Sequence, residues 1–163
     1  MKMIGILRIL LFAGMVSALF AAGSHAQRPQ VPDMSMNTID GKPWKLSELR
    51  GKVVIINFWA TWCEPCRTEV PYLVKLGSEH RQKGLAVAGI ALDEDPAIVK
   101  KFIAEYKVDY PILFPDLASP WRKIDNTPTT LLIDRTGRLA KKYTGAVPEQ
   151  ALRRDTEALL AEK

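Results

Sequence analysis

Residues 53–69 read VVIINFWATWCEPCRTE, and no other stretch restricts the fold so strongly. Val53, Val54, Ile55 and Ile56 form an unbroken apolar run rich in β-branched side chains, the pattern of a central strand covered on both faces. The protein's two cysteines, Cys63 and Cys66, follow just past the carboxyl end of that strand. Their spacing lets both sulfurs meet across the first turn of a helix, so one reversible disulfide is geometrically available. With the helix starting near Cys63, its unpaired N–H groups and the positive end of its dipole favour a thiolate there. Cys63 is therefore expected to be the attacking sulfur.

A CxxC pair has several uses, and the composition narrows them. A structural zinc site wants four ligands, but there is no third cysteine and the histidines are only His25 and His80. Covalent haem attachment needs a histidine after the second cysteine, where Arg67 stands. A permanent bridge is compatible with an exported domain, yet closing so short a loop removes little chain entropy and stabilises weakly. A peroxidatic cysteine would want a threonine three residues upstream with a proline between. The chain has Ala60, Thr61 and Trp62 in those places.

The amino terminus has the marks of an export signal. Lys2 and Arg8 give a positive start, Ile9 to Ala22 is apolar, and Ser24-His25-Ala26 offers small residues for cleavage after Ala26. Counting the apolar stretch from Ile4 lengthens it towards the roughly 20 residues of a spanning helix, so an uncleaved anchor is the competing expectation. No cysteine lies near Ala26 to carry a lipid. Residues 27–163 then form one domain, large enough to bury a core without staples. The 23 basic and 18 acidic residues, less Lys2 and Arg8 of the leader, leave a net charge of +3 (21 − 18). That balance is too mild to indicate nucleic acid, and the pairs Lys141-Lys142 and Arg153-Arg154 read as solvated faces.

Further along, Pro29 and Pro32 keep the lead-in extended, Asp40-Gly41 marks a hairpin turn, and Ser47 is expected to cap a short helix ending at Gly51. After a strand over 53–59, a helix is expected from about Cys63 to Gln82, with Pro65 tolerated in its first turn and Pro71 kinking it. LAVAGIAL at 85–92 is a second parallel strand reached by that crossover. Asp95 and Pro96 open a helix whose stripe of Ile98, Val99, Phe102, Ile103 and Tyr106 is expected in the core. Residues 110–114 form a short strand, and a helical turn spans 121–124. Pro128 heads an apolar strand through Ile133, residues 138–143 return antiparallel, and Pro148 opens a last helix carrying Leu152, Leu159 and Leu160.

Taken together, INFWATWCEPC at 56–66, RTEVPYL at 67–73, TPTTLLID at 127–134 and the final helix resemble the thioredoxin superfamily. Within it, they resemble the exported TlpA/ResA-like thiol–disulfide oxidoreductases. The resemblance implies an α/β, thioredoxin-like three-layer sandwich: a mixed central sheet with helices on both faces, an N-terminal β-hairpin extension and a central insertion around residues 93–125. It implies a cis peptide bond before Pro128, packed opposite the cysteines, with the Thr127 backbone open to pair with an extended client. Trp62 matches the aromatic before the nucleophile and would shield one side of the site, while Glu64 and Pro65 fill the variable positions between the cysteines. Glu64 sets a negative charge near the helix N-terminus and should partly oppose thiolate formation.

Where cytosolic thioredoxins carry a buried aspartate six residues before the first cysteine, this chain has Asn57, which relays no proton. Glu69, one helical turn after Cys66, matches a glutamate of the ResA-like branch. It is expected to be partly buried, with a raised pKa, and to accept the proton of Cys66. The catalytic set is thus Cys63, Cys66 and Glu69, with Trp62, Glu64, Pro65, Thr127 and Pro128 facing the substrate. The function implied is reduction of client protein disulfides in the periplasm, cytochrome c maturation among the uses. A membrane thiol donor would resupply electrons; no metal or organic cofactor and a monomeric state are expected. The alternative is a copper metallochaperone of the same fold, holding Cu(I) through Cys63 and Cys66, although His80 should point away from them.

Overall fold

The computed structural model describes residues 28–162, apart from Leu117 and Asp125. The leader expected over residues 1–26 lies outside the described residues. Among the described residues, seven strands and three α-helices follow in order. They are β1 (Ser35–Asn37), β2 (Pro43–Lys45), β3 (Val53–Trp59), α1 (Glu64–His80), β4 (Leu85–Ala91), α2 (Pro96–Glu105), β5 (Ile112–Leu113), β6 (Thr129–Ile133), β7 (Leu139–Thr144) and α3 (Glu149–Ala161).

The apolar run at 53–59 becomes the middle strand of a five-stranded mixed sheet ordered β5-β4-β3-β6-β7, and each of its seven residues is buried. It runs parallel to β4, from Val53 opposite Leu85 to Trp59 opposite Ala91. On its other side it runs antiparallel to β6, from Val54 opposite Ile133 to Phe58 opposite Thr129. β1 and β2 form the separate hairpin, turned at Gly41, whose φ of 80° suits a residue without Cβ.

Alternation along β3 divides the core. Val53, Ile55 and Trp59 face Val70, Leu73 and Leu76 of α1, Phe102 of α2 and Leu152 of α3. Val54, Ile56 and Phe58 face Met34, Trp44 and Leu46 of the amino-terminal segment. The three layers are as expected, but their content differs: all three α-helices lie in one layer, and the hairpin with short 3-10 turns covers the other face. The crossovers β3-α1-β4 and β4-α2-β5 step the same way across the sheet, so right-handed connections place both helices on one side.

Local chemistry explains three other departures from expectation. Ser47 does not cap the turn over Leu46–Leu49. Asp33 does so instead, accepting the Ser47 backbone N–H at 2.9 Å and its hydroxyl at 2.8 Å, because the lead-in is held alongside by the bond from Leu46 N–H to Met34 O. Ile98 is 52% exposed; Val99 and Phe102 turn into the core, and Ile98 sits on the edge of their stripe in the helix's first turn. Between Pro111 and Pro115 the expected strand over 110–114 shortens to two residues. Asp95 caps α2 as expected, accepting from Ala97 N–H at 2.8 Å. Pro71 lies inside α1, with Pro65 in its first turn.

Gly89 is where the helical layer is tightest. A Cβ there would lie 2.7 Å from Trp59 Nε1 and 2.8 Å from Ile112 Cδ1, so the bare backbone makes room for the indole. Gly89→Ala is expected to lower unfolding stability by roughly 1–3 kcal/mol, the cost of overpacking a filled core. Urea denaturation checks it, and an unchanged midpoint would contradict the close packing.

Candidate active site

The site forms where β3 ends and α1 begins. Cys63 is the N-cap of α1, with extended backbone (φ −87°, ψ 104°), and its sulfur accepts the Cys66 N–H at 3.3 Å. A disulfide joins it to Cys66, with Cα atoms 5.3 Å apart. Cys63 retains a little exposure and Cys66 has none, so an incoming sulfur meets Cys63 first. The same amide also donates to Cys63 O at 3.1 Å, and an N–H of the first helical turn aimed at Sγ is what stabilises a thiolate once the bridge opens. Trp62 stands beside it, 70% exposed. Glu64 and Pro65 occupy the exposed first turn of the helix.

The peptide between Thr127 and Pro128 is cis. Phe58 pairs with Thr129, so Pro128 comes one step past the last pair, at the end of β3 that leads to Cys63. Pro128 is buried and its carbonyl accepts the Gly145 N–H at 2.8 Å. Thr127 is half-buried, and its backbone N–H and C=O make no hydrogen bond among the described residues.

Glu69 lies on the inner face of α1, only 6% exposed. Its Oε1 accepts the Thr130 hydroxyl at 3.0 Å, and that hydroxyl oxygen accepts from Asn57 Nδ2 at 2.9 Å. The chain Asn57–Thr130–Glu69 crosses from the buried strand through its neighbour to the active-site helix. Burial pushes the Glu69 carboxyl up to about 7, and the Thr130 hydrogen bond only partly offsets this. Oε2 has no protein partner among the described residues, which leaves it to carry the proton. A cleft lined by Pro65, Glu69, Tyr72, Ala146 and Val147 opens beside this carboxyl.

The expected Cys63, Cys66, Glu69, Trp62, Glu64 and Pro65 thus gather at the start of α1, and Thr127 and Pro128 reach the same end of the sheet. His80 does not join them: it ends α1, about 21 Å along the helix from Cys66 at 1.5 Å per residue, with Nε2 3.1 Å from Glu157. Thr130 was missed. Its signal was a polar residue in the apolar stretch after Pro128, able to answer the buried Asn57 once β6 is laid antiparallel to β3.

The Redoxin family model matches residues 26–160. The thiol-disulfide oxidoreductase ResA of Bacillus cereus is 32% identical over 129 residues, covering 76% of this chain and 72% of the relative. That of Oceanobacillus iheyensis is 34% identical over 131 residues, covering 79% and 68%. Among solved structures, a thioredoxin-family thiol:disulfide interchange protein from Chlorobium tepidum superposes with a TM-score of 0.74 at 30% identity, covering 83% of this chain and 98% of that one. A secreted thiol-disulfide isomerase from Corynebacterium glutamicum gives 0.74 at 28% identity, covering 84% and 89%. With its CxxC pair bridged at a helix start in a thioredoxin-like sheet, the chain belongs to the Redoxin family, as a ResA-like thiol–disulfide oxidoreductase of the thioredoxin superfamily.

Proposed function

We propose that this oxidoreductase works outside the cytoplasm, in the periplasm, as a monomer that reduces disulfides of client proteins, apocytochrome c among them. The observation that carries the reading is the buried Glu69, one turn after Cys66, whose carboxyl is pushed up to about 7 by that burial. The leader-like sequence over 1–26 and the secreted relative from Corynebacterium glutamicum support export.

In the reduced protein the Cys63 thiolate attacks one sulfur of a client disulfide. A mixed disulfide forms, and the first client sulfur leaves as a thiolate. The client backbone beside its cysteine lies along Thr127, whose N–H and C=O are open for strand-like pairing, with Pro128 behind it and Trp62, Glu64 and Pro65 at the rim. Cys66 then passes its proton to Glu69 and attacks Cys63 Sγ, releasing the second client thiolate. Two electrons have moved to the client and the Cys63–Cys66 bridge is restored. A membrane thiol donor reopens that bridge by the reverse exchange. Glu64, negative at the start of α1, opposes the helix dipole and disfavours the very acidic Cys63 of a strong oxidant.

Cys66→Ser is expected to stall the first step and accumulate mixed disulfides through Cys63, visible on non-reducing gels of the exported fraction; no trapped partner beside a redox-inert wild type would contradict the reading. Glu69→Gln removes the proton acceptor and should slow release of the second client sulfur roughly 100-fold near neutral pH. Rapid-mixing kinetics on a preformed mixed disulfide measures that step, and an unchanged rate would remove Glu69 from it.

Glu69 also links stability to pH. Its folded pKa of about 7 lies above the ordinary 4.5, so between these values the folded protein holds a proton that the unfolded chain has released. This contribution is fully present below about 4.5 and is lost as pH rises to about 7. In the oxidised wild type the loss is about 3 kcal/mol, and Glu69→Gln should lack it. Denaturant unfolding of both proteins across that window reads the difference, and parallel pH profiles would contradict the burial argument.

A further inference from the structure

One buried carboxylate at the carboxyl end of the sheet has no part in the steps above. Asp93 is 5% exposed and comes two residues after β4. The pairing of β3 with β4 runs to Trp59 opposite Ala91, and the Leu92 N–H continues it to Trp59 O at 2.9 Å. The two loops that follow therefore leave the sheet side by side. Across them, the Thr61 N–H donates to both Asp93 oxygens, at 3.2 and 3.1 Å, and the Thr61 hydroxyl donates to Oδ1. Thr61 supplies every hydrogen bond that this carboxylate accepts among the described residues. Arg122 reaches the same loop but donates to the carbonyls of Leu92, at 2.8 Å, and Asp93, at 3.2 Å, rather than to the carboxylate.

Thr61 is two residues before Cys63, and the Cys63 N–H in turn donates to Ala60 O at 3.2 Å. The clamp therefore holds the turn that carries the reactive sulfur. A carboxylate bound by neutral donors transfers no proton to them, and burial leaves its field weakly screened. The Arg122 guanidinium on the Asp93 carbonyl and Arg67 beside Cys66 oppose it with positive charge, and the buried Glu69 carboxyl lies one turn after Cys66. Glu64, Glu94 and Asp95 add the same sign from exposed positions, where solvent damps them. We propose that Asp93 is a positioning residue for disulfide exchange: it clamps the turn that presents Trp62 and Cys63, and its negative charge biases the cysteine pair towards the disulfide. The inference rests on Cys63 as the attacking sulfur. A nearby negative charge disfavours the Cys63 thiolate, a less stable thiolate makes the dithiol a better electron donor, and the protein is thereby a stronger reductant of its clients.

The test is equilibration with glutathione at fixed pH, in which protein disulfide and two glutathione thiols give protein dithiol and glutathione disulfide. Asp93→Asn keeps an acceptor for Thr61 and deletes the charge. At a pH above the Cys63 midpoint it should shift this equilibrium towards the dithiol by about three-fold, and it should lower that midpoint, read by thiolate absorbance, by about half a unit. If Asp93 were only a structural clamp, the asparagine variant would keep the wild-type equilibrium and titration, and that result would overturn the proposal. Thr61→Val keeps the charge, removes one donor to it, and should shift the equilibrium the opposite way, towards the disulfide. It decides the matter where Asp93→Asn does not fold, and no shift, or a shift in the same direction as Asp93→Asn, contradicts the proposal. Iodoacetamide labelling of the reduced wild type, which should alkylate Cys63 first, tests the choice of attacking sulfur on its own.

Discussion

Everything in the molecule is arranged around a strand that water does not reach. β3 is buried along all seven residues and hydrogen-bonded on both sides, so each of its polar groups needs a partner within the protein. Five of the seven side chains carry no polar atom, and Trp59 buries its indole Nε1 with no hydrogen-bond partner among the described residues. Asn57 is the one amide, and Thr130, directly opposite on β6, accepts from its Nδ2, while its Oδ1 has no partner among the described residues. The Thr130 hydroxyl then has its own proton to place, and Glu69 takes it. A carboxyl one turn after Cys66 is thus held by a chain that starts at the Nδ2 donor of one buried amide. Its high pKa is the cost of that location, because burial penalises the charged form more than one hydroxyl compensates.

The site is equally a product of how the sheet ends. β3 and β4 are parallel, so both deliver their following loops to the same edge, and the antiparallel β6 begins there with its cis-proline. One edge therefore collects the turn before Cys63, the start of α1, the loop around Asp93 and the Thr127–Pro128 peptide. The segment over 93–125 is tied to it from the side: Phe102 packs against Trp59 with ring centroids 4.7 Å apart, and the Arg67 guanidinium lies 5.7 Å from the Phe102 ring and 5.5 Å from that of Tyr106. The helix that carries Cys66 is thereby braced against α2 by the residue that follows the cysteine.

Much of this was legible in the residues. An apolar run followed by CxxC announces a buried strand and a helix start because both patterns are local. The burial of Glu69 was legible only through the resemblance to the ResA-like branch; spacing by itself places it one helical turn after Cys66. What escaped were features that depend on register. Thr130 has no distinguishing neighbour in sequence and acquires its role only when β6 lies antiparallel at the pairing that sets it against Asn57. Asp33 likewise reaches Ser47 across 14 residues, where a local reading favoured the serine itself as the cap. Ile98 was misplaced because helical spacing locates a stripe and not its edge. The gathering of all three helices on one face follows from strand order, which the linear chain does not display.

The central claim is that a core hydrogen-bond chain sets a neutral-pH proton acceptor beside the cysteine pair. The most direct measurement is a carbon-13 NMR titration of the Glu69 side-chain carboxyl in the oxidised protein. The account predicts a midpoint near 7, moving further up in Thr130→Val as the one hydrogen bond that favours the carboxylate is lost. A midpoint near 4.5, unmoved by that substitution, would contradict it.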